Sequence, residues 1–149
     1  MFHPISFEDE KLAKAEEIIC YQFTNQLGLR EALQLADSIH QNGNKDLALL
    51  GDTVIELILV KEGLRRHATR GQINNVVSEK SCNAYLAQRG FSTGLAECVF
   101  ANRSQGNRIF PGPMASTVEA IVGAVFNDSK EETAVVKGVM EALGVSWPE

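Results

Sequence analysis

The chain has 149 residues but only three cysteines, Cys20, Cys82 and Cys98, and they lie far apart. No pair has the close spacing of a zinc knuckle or of a redox motif, and an odd number of lone thiols suits a reduced, intracellular protein. Long apolar runs are missing as well. The most apolar stretch, Ile109 to Phe126, contains Pro111, Gly112, Pro113 and Glu119, so it makes a poor bilayer span and no membrane partner is expected. Met1 to Lys11 has no apolar core of signal-peptide length and carries Glu8, Asp9 and Glu10, so no N-terminal signal for secretion or import is expected. Gly and Pro are not in excess, which excludes a fibrous chain, and at 44% hydrophobic residues the sequence is too apolar to stay disordered. Positive charge is also short. Fourteen Lys and Arg face nineteen acids, a formal charge of −5 that is the reverse of the basic footprint of a dedicated nucleic-acid binder.

Strict two-residue alternation is almost absent, whereas apolar residues recur at helical spacing, so the sequence predicts one all-α domain over residues 1–149. The first helix is expected from Glu8 to Cys20, with its acids crowded into the first turn, where they favour the helix dipole. A second is expected from Leu29 to Ile39, and the breaker Gln41-Asn42-Gly43-Asn44 follows. A long helix from Lys45 to Leu64 is apolar nearly all round between Leu47 and Val60, which predicts the buried central element. A further helix should run from Gly71 to Arg89-Gly90, and a short one from Phe91 to Phe100, capped by Ser92 or Thr93. Asn102 to Pro113 reads as a flexible loop. Ala115 to Phe126 is a second nearly all-apolar helix, and Lys130 to Leu143 closes the domain.

Acids interrupt both apolar helices. Asp52 and Glu56 are four residues apart and so share a face, and Glu119 is the one charged residue between Ile109 and Phe126. An ionised carboxylate removed from water must be paired, bound to a metal or neutralised by a raised pKa. Two readings follow. The acids are either structural, bonded to backbone groups or Arg side chains, or they are presented by adjacent helices to a divalent cation. Hard oxygen ligands suit Mg²⁺, which often takes only one or two protein carboxylates and keeps water and phosphate oxygens for the rest. A site of that kind does phosphodiester chemistry.

The charge total hides a strong asymmetry. Residues 61–110 hold eight cations (Lys61, Arg65, Arg66, Arg70, Lys80, Arg89, Arg103 and Arg108) against three acids, while both flanks are acidic. Arg65-Arg66-His67-Ala68-Thr69-Arg70-Gly71 follows the Asp52 helix, and Asn102-Arg103-Ser104-Gln105-Gly106-Asn107-Arg108 precedes the Glu119 helix. A charge run is usually a solvated face. These loops also combine Arg and amide side chains with Gly backbone, as phosphate and sugar readers do, which makes Arg65, Arg66, Arg70, Arg103 and Arg108 candidates for contact with the phosphates of a nucleic acid. His40 and His67 have no partners for acid–base work and read as surface residues.

Leu47-Ala48-Leu49-Leu50-Gly51-Asp52-Thr53-Val54 resembles the central motif of ribonuclease III domains, E-x-x-L-E-F-L-G-D-[AST]-[VL]. Ser116 to Phe126 resembles their second motif, D-x-F-E-A-L-I-G-A-[IV]-[YF]. The opening Ile18-Ile19-Cys20-Tyr21-Gln22-Phe23, followed by Leu27 to Leu33, is similar to the family's I-G-Y-x-F start and its E-A-L helix. The resemblance covers nearly the whole chain in order and spacing. It implies a helical endonuclease domain that forms a homodimer and cuts double-stranded RNA with Mg²⁺, or Mn²⁺ in its place, held by four carboxylates per subunit. Two of the four are kept, Asp52 and Glu119, and these are the expected catalytic and metal-binding residues. Ala48 and Ser116 occupy the other two positions, and Lys45 and Arg70 fall at or near accessory acids.

The Mini-III class, similar in length and without a double-stranded-RNA-binding domain, also resembles this chain in having a small residue before L-x-x-G-D and a hydroxyl residue three before the Glu. His67 to Gln72 resembles fungal ribonuclease III-type proteins instead. Ser116 is expected either to bind metal-bound water or to cap the Glu119 helix, and Glu56 either to support the metal or to form a salt bridge. The alternatives to a nuclease are an inactive RNase III-like RNA-binding or scaffold protein and a helical protein-interaction dimer.

Overall fold

The apolar spacing is realised as helix throughout. The computed structural model describes residues 5–101 and 108–149, and among them are seven α-helices, one 3-10 turn and no strand. The helices are α1 (Phe7–Ile19), α2 (Gln26–Ala32), α3 (Lys45–Arg65), α4 (Arg70–Lys80), α5 (Asn83–Thr93), α6 (Pro111–Asp128) and α7 (Thr133–Leu143), and the 3-10 turn is Leu95–Glu97.

The buried centre is α6, not the long helix α3 that the sequence pointed to. From Met114 to Val125 every residue of α6 is buried except Ser116 and Glu119. It packs along α3 on one side and α5 on the other, with α2 and α7 completing its surroundings. α3 is buried on one face only, through Ala48, Gly51, Val54, Ile55, Ile58 and Leu59, and its opposite face leaves Leu49 73% and Leu57 43% exposed. An all-apolar stretch does not separate a helix buried all round from one with an apolar outer face.

Several boundaries differ from the sequence expectation for local reasons. α2 starts three residues early because the Asn25 side chain accepts from Leu27 N–H, and it ends at Ala32. There the chain leaves the helix to pair with Phe100: Leu35 N donates to Phe100 O (2.9 Å) and Phe100 N to Leu33 O (2.8 Å). Asp37 then accepts from Ile39 and His40 N–H, a local turn that excludes helix at Ile39. The single helix expected from Gly71 to Gly90 is two, broken at Ser81, whose hydroxyl turns back to Val77 O, and at the extended Cys82. The helix expected from Phe91 to Phe100 is absent. Phe91–Thr93 is the last turn of α5, Thr93 donates to carbonyls of α5 rather than capping, and Gly94, at φ 91°, ends the helix. α6 begins at Pro111, where the missing N–H costs nothing. α7 begins only at Thr133, because Lys130 and Glu131 are left-handed.

Candidate active site

α3 and α6 touch backbone to backbone. A Cβ on Gly51 would lie 1.6 Å from the carbonyl oxygen of Glu119, and one on Gly123 would lie 2.4 Å from the carbonyl oxygen of Leu47. Each helix thus places a glycine against a carbonyl that lies one turn before the partner's glycine. The residue after Gly51 is Asp52, and the two acids meet at this crossing. Asp52 is exposed and Glu119 half-buried. Burial, the negative charge of Asp52 and a hydrogen bond with it push the Glu119 carboxyl up to about 8. The sequence argument that both acids are buried is therefore corrected for Asp52. It holds in part for Glu119, one of the two residues between Met114 and Val125 that are not fully buried.

Ser116, the other, does not cap the helix, because α6 starts at Pro111 and Ser116 lies in its second turn. Its hydroxyl donates to Asn44 Oδ1 (2.8 Å), and Asn44, only 3% exposed, donates in turn to Ala32 O (2.8 Å) and Thr117 Oγ1 (3.2 Å). Ala48, buried, lies between Asn44 and Asp52 on the same face of α3. Glu56 is exposed, and among the described residues it forms no ion pair, contrary to the salt bridge offered as one reading. Among the described residues no three His, Cys, Asp or Glu side chains converge on one point.

The candidate RNA-binding arginines divide into groups. Arg65 and Arg66, at the end of α3, lie roughly 20 Å along the helix from Asp52. Both bond Glu62, a buried carboxylate that also takes Lys137 Nζ (2.9 Å), with Arg65 Nε at 3.0 Å and Arg66 Nε at 2.8 Å. These three cations hold Glu62 far below the usual carboxylate range. Sequence reasoning missed this cluster; its only signal was an acid at the same helical spacing as Ile55 and Leu59. Arg70 is exposed in the first turn of α4, and Arg108 lies over the Phe110 ring at 5.8 Å. Arg103 and the rest of 102–107 lie outside the described residues. His40 pairs with Asp37 at 3.4 Å and His67 is exposed, both as surface residues.

The helical scaffold brings two acids together over a glycine crossing. No family model matches the sequence. The chain is 27% identical over 146 residues to ribonuclease 3 of Oleidesulfovibrio alaskensis, covering 91% of this chain and 63% of that protein. It is 31% identical over 147 residues to ribonuclease 3 of Syntrophotalea carbinolica, covering 91% and 62%. The chain thus spans less than two thirds of the length of these relatives. Two structures of the nuclease domain of ribonuclease III from Campylobacter jejuni superpose with TM-scores of 0.75 and 0.74 at 20% and 21% identity. They cover 94% of this chain and 99% and 96% of theirs, and one is described as flexible in the region involved in dimer formation. The chain is thus similar to ribonuclease 3 proteins over most of its own length and has the fold of these nuclease-domain structures.

Proposed function

We propose that the chain is a divalent-metal-dependent endoribonuclease domain that acts on double-stranded or structured RNA inside the cell. The observation that carries this reading is the Asp52–Glu119 pair. Two carboxyl groups held together over Gly51, one of them raised to about 8, form a site whose mutual repulsion a divalent cation would relieve. The donor set fits Mg²⁺, with Mn²⁺ the alternative, because hard oxygens are supplied and Mg²⁺ needs few protein ligands. Bound there, the ion would supply Lewis-acid chemistry for phosphodiester hydrolysis. The chain's own residues do the rest. Asp52 is open to substrate, while Glu119, set in the rigid central helix, has little freedom to drift. The exposed Glu56, one turn along α3, adds negative charge beside the pair.

Arg70, Arg103 and Arg108, together with Arg65 and Arg66 on their Glu62 anchor, are proposed to contact phosphates. As a homodimer the protein would present two such sites to paired strands. The exposed Leu49, Leu57 and Leu64 of α3 support that association. No helix among the described residues is long and apolar enough to cross a membrane.

The second reading is an inactive RNA-binding or scaffold protein. It is favoured by the non-acidic Ala48 and by the engagement of the Ser116 hydroxyl with Asn44. Long double-stranded RNA incubated with the protein and Mg²⁺ separates the two. Cleavage lost in both Asp52→Asn and Glu119→Gln supports the nuclease, whereas RNA binding without cleavage by the parent protein supports the scaffold.

A further inference from the structure

The α3–α6 contact that brings Asp52 to Glu119 is a backbone-to-backbone approach at two glycines. At the closest approach Gly51 lies against the Glu119 carbonyl and Gly123 against the Leu47 carbonyl, so backbone rather than side chains meets at the crossing. A slip of one residue shifts a helix by about 1.5 Å, enough to separate two carboxyl groups that share a cation. Directional bonds between the helices resist such a slip. The fold supplies them at Asn44, immediately before α3. From this one buried side chain, Nδ2 donates to Ala32 O at the end of α2 and to Thr117 Oγ1 on α6, and Oδ1 accepts from Ser116 Oγ on α6. Thr117 is itself fixed by its hydroxyl bond to Pro113 O at 2.9 Å. No buried side-chain polar atom among the described residues is left without a partner, so the cluster is fully satisfied and therefore rigid.

We infer that Asn44 is the positioning residue of the acidic pair. Through Ser116 and Thr117 it sets the register of α6 along α3, and so the distance at which Glu119 meets Asp52. The position that carries an acid in the resembling motif is here occupied by a hydroxyl engaged in alignment. This inference rests on the reading of Asp52 and Glu119 as cation ligands.

The test is Mn²⁺ alone, titrated into the protein without RNA and followed by electron paramagnetic resonance. It is run at a temperature where circular dichroism shows each variant folded. The variants are Asn44→Ala, Ser116→Ala, the double variant, and Asp52→Asn as the reference for loss of a ligand. Support for a metal can also break when its hydrogen-bonded partners are removed, and such losses are typically about 10- to 100-fold in affinity. The expected result is a weakening of about tenfold or more in Asn44→Ala and in Ser116→Ala, with the double variant no weaker than Asn44→Ala. A purely structural role would lower the melting temperature and leave Mn²⁺ affinity unchanged, and that result overturns the inference. If Asn44→Ala does not fold, Ser116→Ala decides in the same way, since it removes one bond of the cluster and leaves the rest. Parent protein that binds no Mn²⁺, or binds it as well after Asp52→Asn, refutes the cation site itself, an outcome distinct from failure at Asn44 alone.

Discussion

Gly51→Ala tests the contact on which the site depends. On an open helix the change is favourable, because alanine exceeds glycine in helix propensity by about 1 kcal/mol. At Gly51 the new methyl carbon would lie 1.6 Å from the Glu119 carbonyl oxygen, where ordinary contact begins at 3.4 Å. The obstacle is backbone, which cannot rotate away, so α3 and α6 must part by nearly 2 Å along their closest approach. Forced overpacking costs about 1–3 kcal/mol and sometimes more, and a clash of this depth belongs at the upper end.

Net of propensity, Gly51→Ala should lose about 2 kcal/mol, which for a domain of this size lowers Tm by roughly 5 °C. Gly138, exposed in α7 with nothing within 4 Å of its would-be Cβ, is the control. Gly138→Ala should gain about 0.5–1 kcal/mol. Thermal and urea unfolding of the parent and both variants measure the contrast. Gly51→Ala as stable as Gly138→Ala would refute the close crossing, and with it the reason Asp52 and Glu119 meet.

The remaining predictions concern charge and association. Glu62 is held below its ordinary pKa chiefly by hydrogen bonds from Arg65, Arg66 and Lys137, so its stabilising effect is complete above the unfolded value of 4.5 and fades as pH falls below it. Glu62→Gln should cost about 1–3 kcal/mol at neutral pH and flatten the acid limb of the urea-midpoint profile, and parallel profiles would contradict the cluster. Glu119 has the opposite sign. Its raised pKa means the metal-free native state holds a proton that the unfolded chain releases near 4.5, so stability should decline from there up to about pH 8 and then level off. Melting temperatures in chelator across that range should show the decline in the parent and a shallower one in Asp52→Asn; a flat parent profile would count against the coupled pair. For association, Leu49→Glu and Leu57→Glu should shift the sedimentation coefficient from dimer toward monomer, and a parent protein that sediments as a monomer at micromolar concentration would contradict the homodimer.

Helical class was legible in the sequence because it depends on spacing, and the acids stood out within apolar helices. Their meeting was only one of two readings that the pattern left open. A 3.6-residue apolar period marks a helix, and an acid within such a period marks a place where something must compensate for burial. Which helix lies at the centre was not legible, because Leu49 and Leu57 contribute to the same apolar pattern whether they face the core or solvent. The end of α2 at Ala32 depends on pairing with Phe100, 65 or more residues away, and no local signal reports it. The break at Ser81-Cys82 depends on a hydroxyl bonding its own helix, which serine does in some contexts and not in others. Asn44 read as part of a turn. Its role emerges only when α2, α3 and α6 are assembled around it, since its three partners come from distant parts of the chain.

The most direct test of the Asp52–Glu119 site is the single-turnover rate of double-stranded RNA cleavage at saturating Mg²⁺, compared among the parent, Asp52→Asn and Glu119→Gln with equal amounts of folded protein. The account predicts cleavage by the parent and a fall of about 100-fold or more in each variant, the scale expected when a group that stabilises the transition state is removed. Equal rates in the parent and either variant would contradict it.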